Sequence, residues 1–94
     1  MDAQIDNDML LRVSASSSSA SVAAAISHAV YDSKNVMLRA IGAAAVNQAV
    51  KAIAIAQSFV GARGLVLACR PGFVTVTMPD AKEVSAITLK VFLV

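Results

Sequence analysis

The chain has no tryptophan, one cysteine, one histidine, two prolines and four glycines among 94 residues. A single thiol, Cys69, closes no internal disulfide, so the fold must stand on packing and suits a reducing compartment. One histidine, His28, gives neither the nucleophile–base pairing of hydrolases nor the close ligand spacing of a metal centre. No G-x-G-x-x-G or G-K-[ST] segment is present, so the common phosphate-cradling nucleotide loops are excluded. Charge is scarce too, at 15% of residues against roughly 25% in an ordinary soluble domain. No enzyme, cofactor or metal site is expected.

What is abundant is aliphatic side chain, with hydrophobic residues at 57%. A single domain of this length buries only about 60–65% of its unfolded surface, so some of that apolar area stays exposed. Exposed apolar patches mark partner interfaces, and a homodimer or higher symmetric oligomer is expected. The net charge of +2 and the pI near 9.0 permit contact with nucleic acid without requiring it. The opening MDAQIDND is acidic where a secretory signal would be basic. Apolar runs are broken at Arg39, Lys51 and Arg63 before about 18 apolar residues accumulate. A cytoplasmic protein without membrane contact is expected.

Residues 1–8 carry three aspartates and little to bury, and read as a loose tail ahead of one domain at 9–94. Residues 9–14 read as a short strand with Leu10 or Leu11 facing a core and Arg12 near the surface. The serines of 15–21 favour turns and N-caps, so a helix should open at Ser18 or Ser19 and run to Tyr31. Val22, Ala25, Ile26, Ala29 and Val30 share one face of it. Asp32 to Asn35 is a turn cluster, and 36–41 is an apolar strand.

The centre of the chain is the stretch 38–60, LRAIGAAAVNQAVKAIAIAQSFV. It reads as the end of a buried strand, a hinge at Gly42 and an alanine-rich helix over 43–60. Val46, Ala49, Val50, Ile53, Ala56 and Val60 form its expected buried face. Asn47, Gln48 and Lys51 lie within about one turn of each other and form a candidate partner-binding cluster. Ile55 and Phe59 continue that outer side with apolar surface, which makes them candidate subunit-interface residues. Gly61 or Gly64 should cap the helix, with Arg63 near its negative end.

Residues 65–70 read as a third strand, interrupted by Pro71 and Gly72 in a way that suggests a bulge or an edge position, with Cys69 buried and inert in its apolar run. Alternation resumes over 73–78 and, after a turn at 79–82, a last strand fills 84–94 with Ile87, Leu89, Val91 and Leu93 on one face. The order β-α-β-α-β-β, with two right-handed crossovers, implies an α/β (α+β) sandwich of two helices on one face of a four-stranded mixed sheet. Backbone N–H groups at the two helix N-termini, after Ser16, Ser17 and Ser18 and after Gly42, could receive an anion. N-capping explains the same serines.

Three segments, LRVSASSSSASVAAAI at 11–26, RAIGAAAVNQAVKAIAIAQSFV at 39–60 and AITLKV at 86–91, resemble the stage V sporulation protein S (SpoVS) family, itself similar to Alba proteins. RAIG-x-x-A-x-NQAVKA is the most specific of these signatures. The resemblance implies an Alba-like fold, dimers, nucleic-acid binding to DNA or RNA, and a part in sporulation. In that reading Arg39, Lys51 and Arg70 contact phosphate, Asn47 and Gln48 are polar partners, and the serine loop supplies donors. Two features differ from the Alba pattern. Serines 16–19 stand where Alba proteins present lysines, and the hairpin at Pro79–Glu83 reads as short and mixed in charge. The competing expectation is a non-enzymatic module that assembles into a larger protein complex without nucleic acid.

Overall fold

Leu11 and Val13 alternate with Leu10 and Arg12 along the first strand, β1 (Asp8–Val13), and this period of two sets the faces of the whole sheet. The computed structural model describes residues 8–94, so the expected tail lies outside the described residues except for Asp8. β1 leads through a serine loop into α1 (Ser19–Tyr31), then β2 (Asn35–Ala40), α2 (Ala43–Gly61), β3 (Leu67–Thr77) and β4 (Glu83–Leu93). The order β1-β2-β4-β3 makes one mixed sheet: β1 and β2 are parallel, and both other pairings are antiparallel. The expected α+β architecture, with βαβαββ order, is the one observed.

Local chemistry explains the helix ends. Ser18 is the N-cap of α1, and its hydroxyl accepts from the Ser21 N–H at 3.2 Å. At the other end Lys34 N–H donates to the Ala29 carbonyl at 2.9 Å and Ser33 N–H to Val30 at 3.1 Å, closing the helix with Ser33 at φ 60°. α2 ends the same way, with Gly64 at φ 78° and bonds from Leu65 to Val60 and from Gly64 to Gly61. Of the two glycines expected to cap α2, it is Gly64 that takes the left-handed position.

Val36, Leu38 and Ala40 of β2 register with Val91, Leu89 and Ile87 of β4 and point toward the helices. Ile26, Leu38, Val36 and Val60 are the largest fully buried side chains. The stripe of α2 that closes this core is Ala45, Ala49, Ala52, Ala56 and Val60. That corrects the expected face: Val46 and Ile53 are only partly buried, and Val50 is 51% exposed. The stripe is rotated toward α1 because alanines let two helices and a sheet approach closely, whereas reading the largest side chains as innermost favours the valines. α2 is long and apolar enough to span a bilayer, but this stripe packs against α1, β1, β2 and β4 as a core helix does.

β3 runs unbroken through Pro71 and Gly72, which pair with Leu89 and Thr88. The pairing is not interrupted, and of the two expected explanations the edge position holds: β3 is an edge strand, where a missing N–H on the open side removes no ladder bond. Gly72 is required by close approach, since a Cβ there would lie 2.5 Å from the Thr88 hydroxyl oxygen. Cys69 is exposed, contrary to expectation, because the helices cover β1, β2 and β4 and reach β3 only at Leu67, whose N–H donates to Gln57 of α2.

The β3–β4 hairpin is also longer than expected. β2 ends its pairing at Ala40↔Ile87, while β3 and β4 continue through Val74↔Ala86 to Thr77↔Glu83. Those four further pairs carry the ribbon about 14 Å beyond the sheet. Its turn places Ala81 at φ 68°, a conformation that costs a residue with a Cβ about 1–2 kcal/mol. Ala81→Gly should therefore stabilise the fold by roughly 0.5 kcal/mol after the greater unfolded-state entropy of glycine is subtracted. Urea denaturation of the two proteins reads that difference.

Candidate functional site

Among the described residues, no second layer covers the face of the sheet turned away from the helices. On it, registers place Leu10 beside Met37, Met37 beside Lys90 and Lys90 beside Arg70, one row across all four strands. The next row is Arg12, Arg39, Thr88 and Gly72. Lys90 and Arg39 stand diagonally on adjacent strands, a separation of about 7–8 Å. The four cations Arg12, Arg39, Lys90 and Arg70 thus form one oblique stripe from one edge of the sheet to the other.

Two directly opposed like-charge pairs, Arg12 with Arg39 and Lys90 with Arg70, oppose folding, each by a few tenths of a kcal/mol to about 1 kcal/mol. Only Asp8, opposite Asn35 at the start of β1, shares the parity of this face, one row beyond Leu10 and Met37, and no carboxylate of residues 9–94 does. Asp32 follows α1, Asp80 sits in the hairpin turn, and Glu83 at the hairpin end falls on the opposite strand parity. Two of the six carboxylates, Asp2 and Asp6, precede β1, so residues 8–94 hold eight cations against four carboxylates, a net charge of +4. The folded body is more basic than the whole-chain value suggests.

The stripe is bordered by apolar surface. Leu10 is 44% exposed, Met37 37% and Phe92 42%. Leu10, Met37, Asn35, Arg70 and Lys90 line a groove of about 550 Å³. A smaller depression lies against Arg12, Arg39, Ser14, Ala15 and Ile41, joining the stripe to the serine loop.

The other expected site residues divide between this end of the sheet and the helix layer. Ser16 and Ser17 are held within their own loop: the Ser17 hydroxyl accepts from the Ser14 N–H at 2.9 Å, and the Ser14 hydroxyl lies 3.2 Å from those of Ser16 and Ser17. Ser18 caps α1. Gly42 begins α2 at φ 91°, with no side-chain cap. Gln48 turns away from Asn47 and Lys51 and donates to the Ser17 carbonyl at 2.8 Å, tying α2 to the serine loop. Asn47 and Lys51 remain exposed on the helix layer, remote in the fold from Arg39 and Arg70. Ile55 is half-buried against the core, and Phe59 is 45% exposed.

Gln48→Ala should cost about 1 kcal/mol through the lost hydrogen bond, while Asn47→Ala should stay within about 0.5 kcal/mol of the parent in thermal melts.

Arg12 and Lys90, with their neighbours Leu10, Met37 and Phe92, complete a surface of which sequence reasoning found only Arg39 and Arg70. The available signal is strand parity: Arg12 and Arg39 alternate with the buried Val13, Leu38 and Ala40 of their own strands, and Lys90 with Leu89 and Val91.

Residues 9–94, nearly the whole chain, match the family model described as stage V sporulation protein S (SpoVS), and the chain belongs to that family.

Proposed function

We propose that this SpoVS-family chain is a non-enzymatic cytoplasmic protein that acts in sporulation by binding nucleic acid as a dimer, through sequence-independent backbone contacts. Family membership supports the sporulation-related role. The observation that carries nucleic-acid binding is the oblique stripe of Arg12, Arg39, Lys90 and Arg70 on a sheet face that no described element covers, with Asp8, one row beyond Leu10, the nearest carboxylate by register. Like charges held together at a cost to folding are relieved by a polyanion, whose phosphates replace bulk counterions.

The stripe also restricts how two subunits meet. Joining two copies through this face would oppose two sets of four cations, so the subunit seam falls on the other layer. Phe59 on α2 and Phe73, 70% exposed on the helix-side face of β3, supply apolar surface there. Light scattering should give a dimer at micromolar concentration, and a monomer would contradict this part of the proposal.

Nucleic-acid binding is tested by fluorescence anisotropy with labelled oligonucleotides over 50–200 mM salt. Four phosphate contacts predict a log–log salt slope of about −2.8 on single strands, roughly a 50-fold weakening across that range. Absence of binding at the lowest salt would favour the competing reading of a protein-assembly module.

A further inference from the structure

A surface that only held phosphates would need its cations and nothing else. This one interleaves them with uncharged floor. Leu10 and Met37 occupy the β1 and β2 positions of the row whose β4 and β3 positions are Lys90 and Arg70. In the next row the order is reversed, with cations on β1 and β2 and the small residues Thr88 and Gly72 on β4 and β3. Cations follow one diagonal of the sheet and neutral surface the other.

Gly72 contributes to that floor through having no side chain. Its neighbour Thr88 already fills the space where a Cβ would stand. Phe92, two residues from Lys90 on the same face, adds an exposed ring beyond the Leu10–Met37 row. The groove lined by Leu10, Asn35, Met37, Arg70 and Lys90, about 550 Å³, falls within the range of about 300–1,000 Å³ typical of small-ligand pockets, so it has room for an unstacked nucleotide.

We infer that the occupant of this face is a single-stranded nucleic acid, whose bases lie on Leu10, Met37 and Phe92 while its phosphates meet Arg12, Arg39, Lys90 and Arg70. The inference rests on the nucleic-acid-binding reading and goes beyond it by naming the strandedness. A duplex keeps its bases stacked inside and presents phosphate and groove edges, so it gains nothing from the exposed apolar floor. A single strand can turn its bases onto that floor, and such contact tolerates any base because each has a flat apolar face. A second copy of the chain is a poor occupant on charge grounds, as above.

Anisotropy with labelled 20-nucleotide dT and rU strands and a 20-base-pair duplex, at one salt concentration, tests this. Single strands should bind at least tenfold more tightly than the duplex, with DNA and RNA strands similar to each other. The double variant Leu10→Ala/Met37→Ala should lose about tenfold or more on single strands and less than twofold on the duplex. Met37→Phe, which enlarges the base platform at an exposed position, should tighten single-strand binding. Equal or tighter duplex binding, or a double variant that weakens both probes alike, would overturn the inference while leaving nucleic-acid binding intact. Failure of every probe to bind at low salt would overturn both.

Discussion

Replacing Arg12, Arg39, Arg70 and Lys90 together by glutamine should abolish the salt-dependent part of polyanion binding and leave the fold as stable as before or more so. Each phosphate contact contributes about 0.7 to the salt slope on a single strand, so losing four removes about 2.8 and leaves a nearly flat dependence. The stability change carries the more unusual sign. Charge removal usually disturbs a surface ion pair, but here the cations oppose one another across strands. Relieving two such pairs should return about 0.5–2 kcal/mol. Glutamine keeps part of the aliphatic stem, so the packing of these side chains over the sheet is partly retained. Lys51→Gln and Asn47→Ala, on the helix layer, should leave binding within twofold. If the quadruple variant lost binding and also lost stability, the cations would instead be holding the sheet together.

Ala49→Leu should destabilise the protein by about 3 kcal/mol or more, whereas Val50→Ala should change it by less than about 1 kcal/mol. Ala49 is fully buried in the stripe where α2 meets α1 and the sheet, and a leucine there forces three extra carbons into close packing. Val50, one residue on, is half exposed and has little to lose. For a domain of this size, 3 kcal/mol lowers the melting temperature by more than about 10 °C. The pair also tests helix orientation. Were α2 turned to bury its valines, Val50→Ala would be the costly change and Ala49→Leu the tolerated one.

The fold was legible largely because its boundaries are chemically punctuated. The serine run before α1 and the Asp32–Asn35 cluster after it bracket a helix whose observed limits, Ser19–Tyr31, coincide with those expected. α2 opens after Gly42 and closes one residue past its expected end. The sequence is ambiguous where a residue type has two meanings. Pro71 signals a bulge or an edge strand, and only the strand order shows that it marks the edge. An alanine is a weak hydrophobic signal in a list and a strong packing signal where helices approach closely, so Ala45 and Ala52 take the buried places that the sequence pattern assigns to Val46 and Ile53.

The site was half legible for a related reason. Arg12, Arg39, Arg70 and Lys90 are spread across most of the chain and belong to four different strands. Only the order β1-β2-β4-β3 and its register bring them side by side. Their strand parity is visible in the sequence, but their adjacency is a product of long-range pairing. Gln48 shows the converse. It sits in sequence with Asn47 and Lys51, yet its amide is engaged by the Ser17 carbonyl, so nearness in sequence did not make a shared surface.

Amide chemical-shift mapping with an unlabelled single-stranded oligonucleotide tests the central claim most directly, because it reports which layer of the molecule is contacted. Perturbations should concentrate at Leu10, Arg12, Met37, Arg39, Arg70, Thr88 and Lys90, with Asn47, Lys51 and Ala54 on α2 unmoved. Perturbations confined to α2, with the outer rows of the sheet silent, would contradict the assignment of the binding surface to the open sheet face.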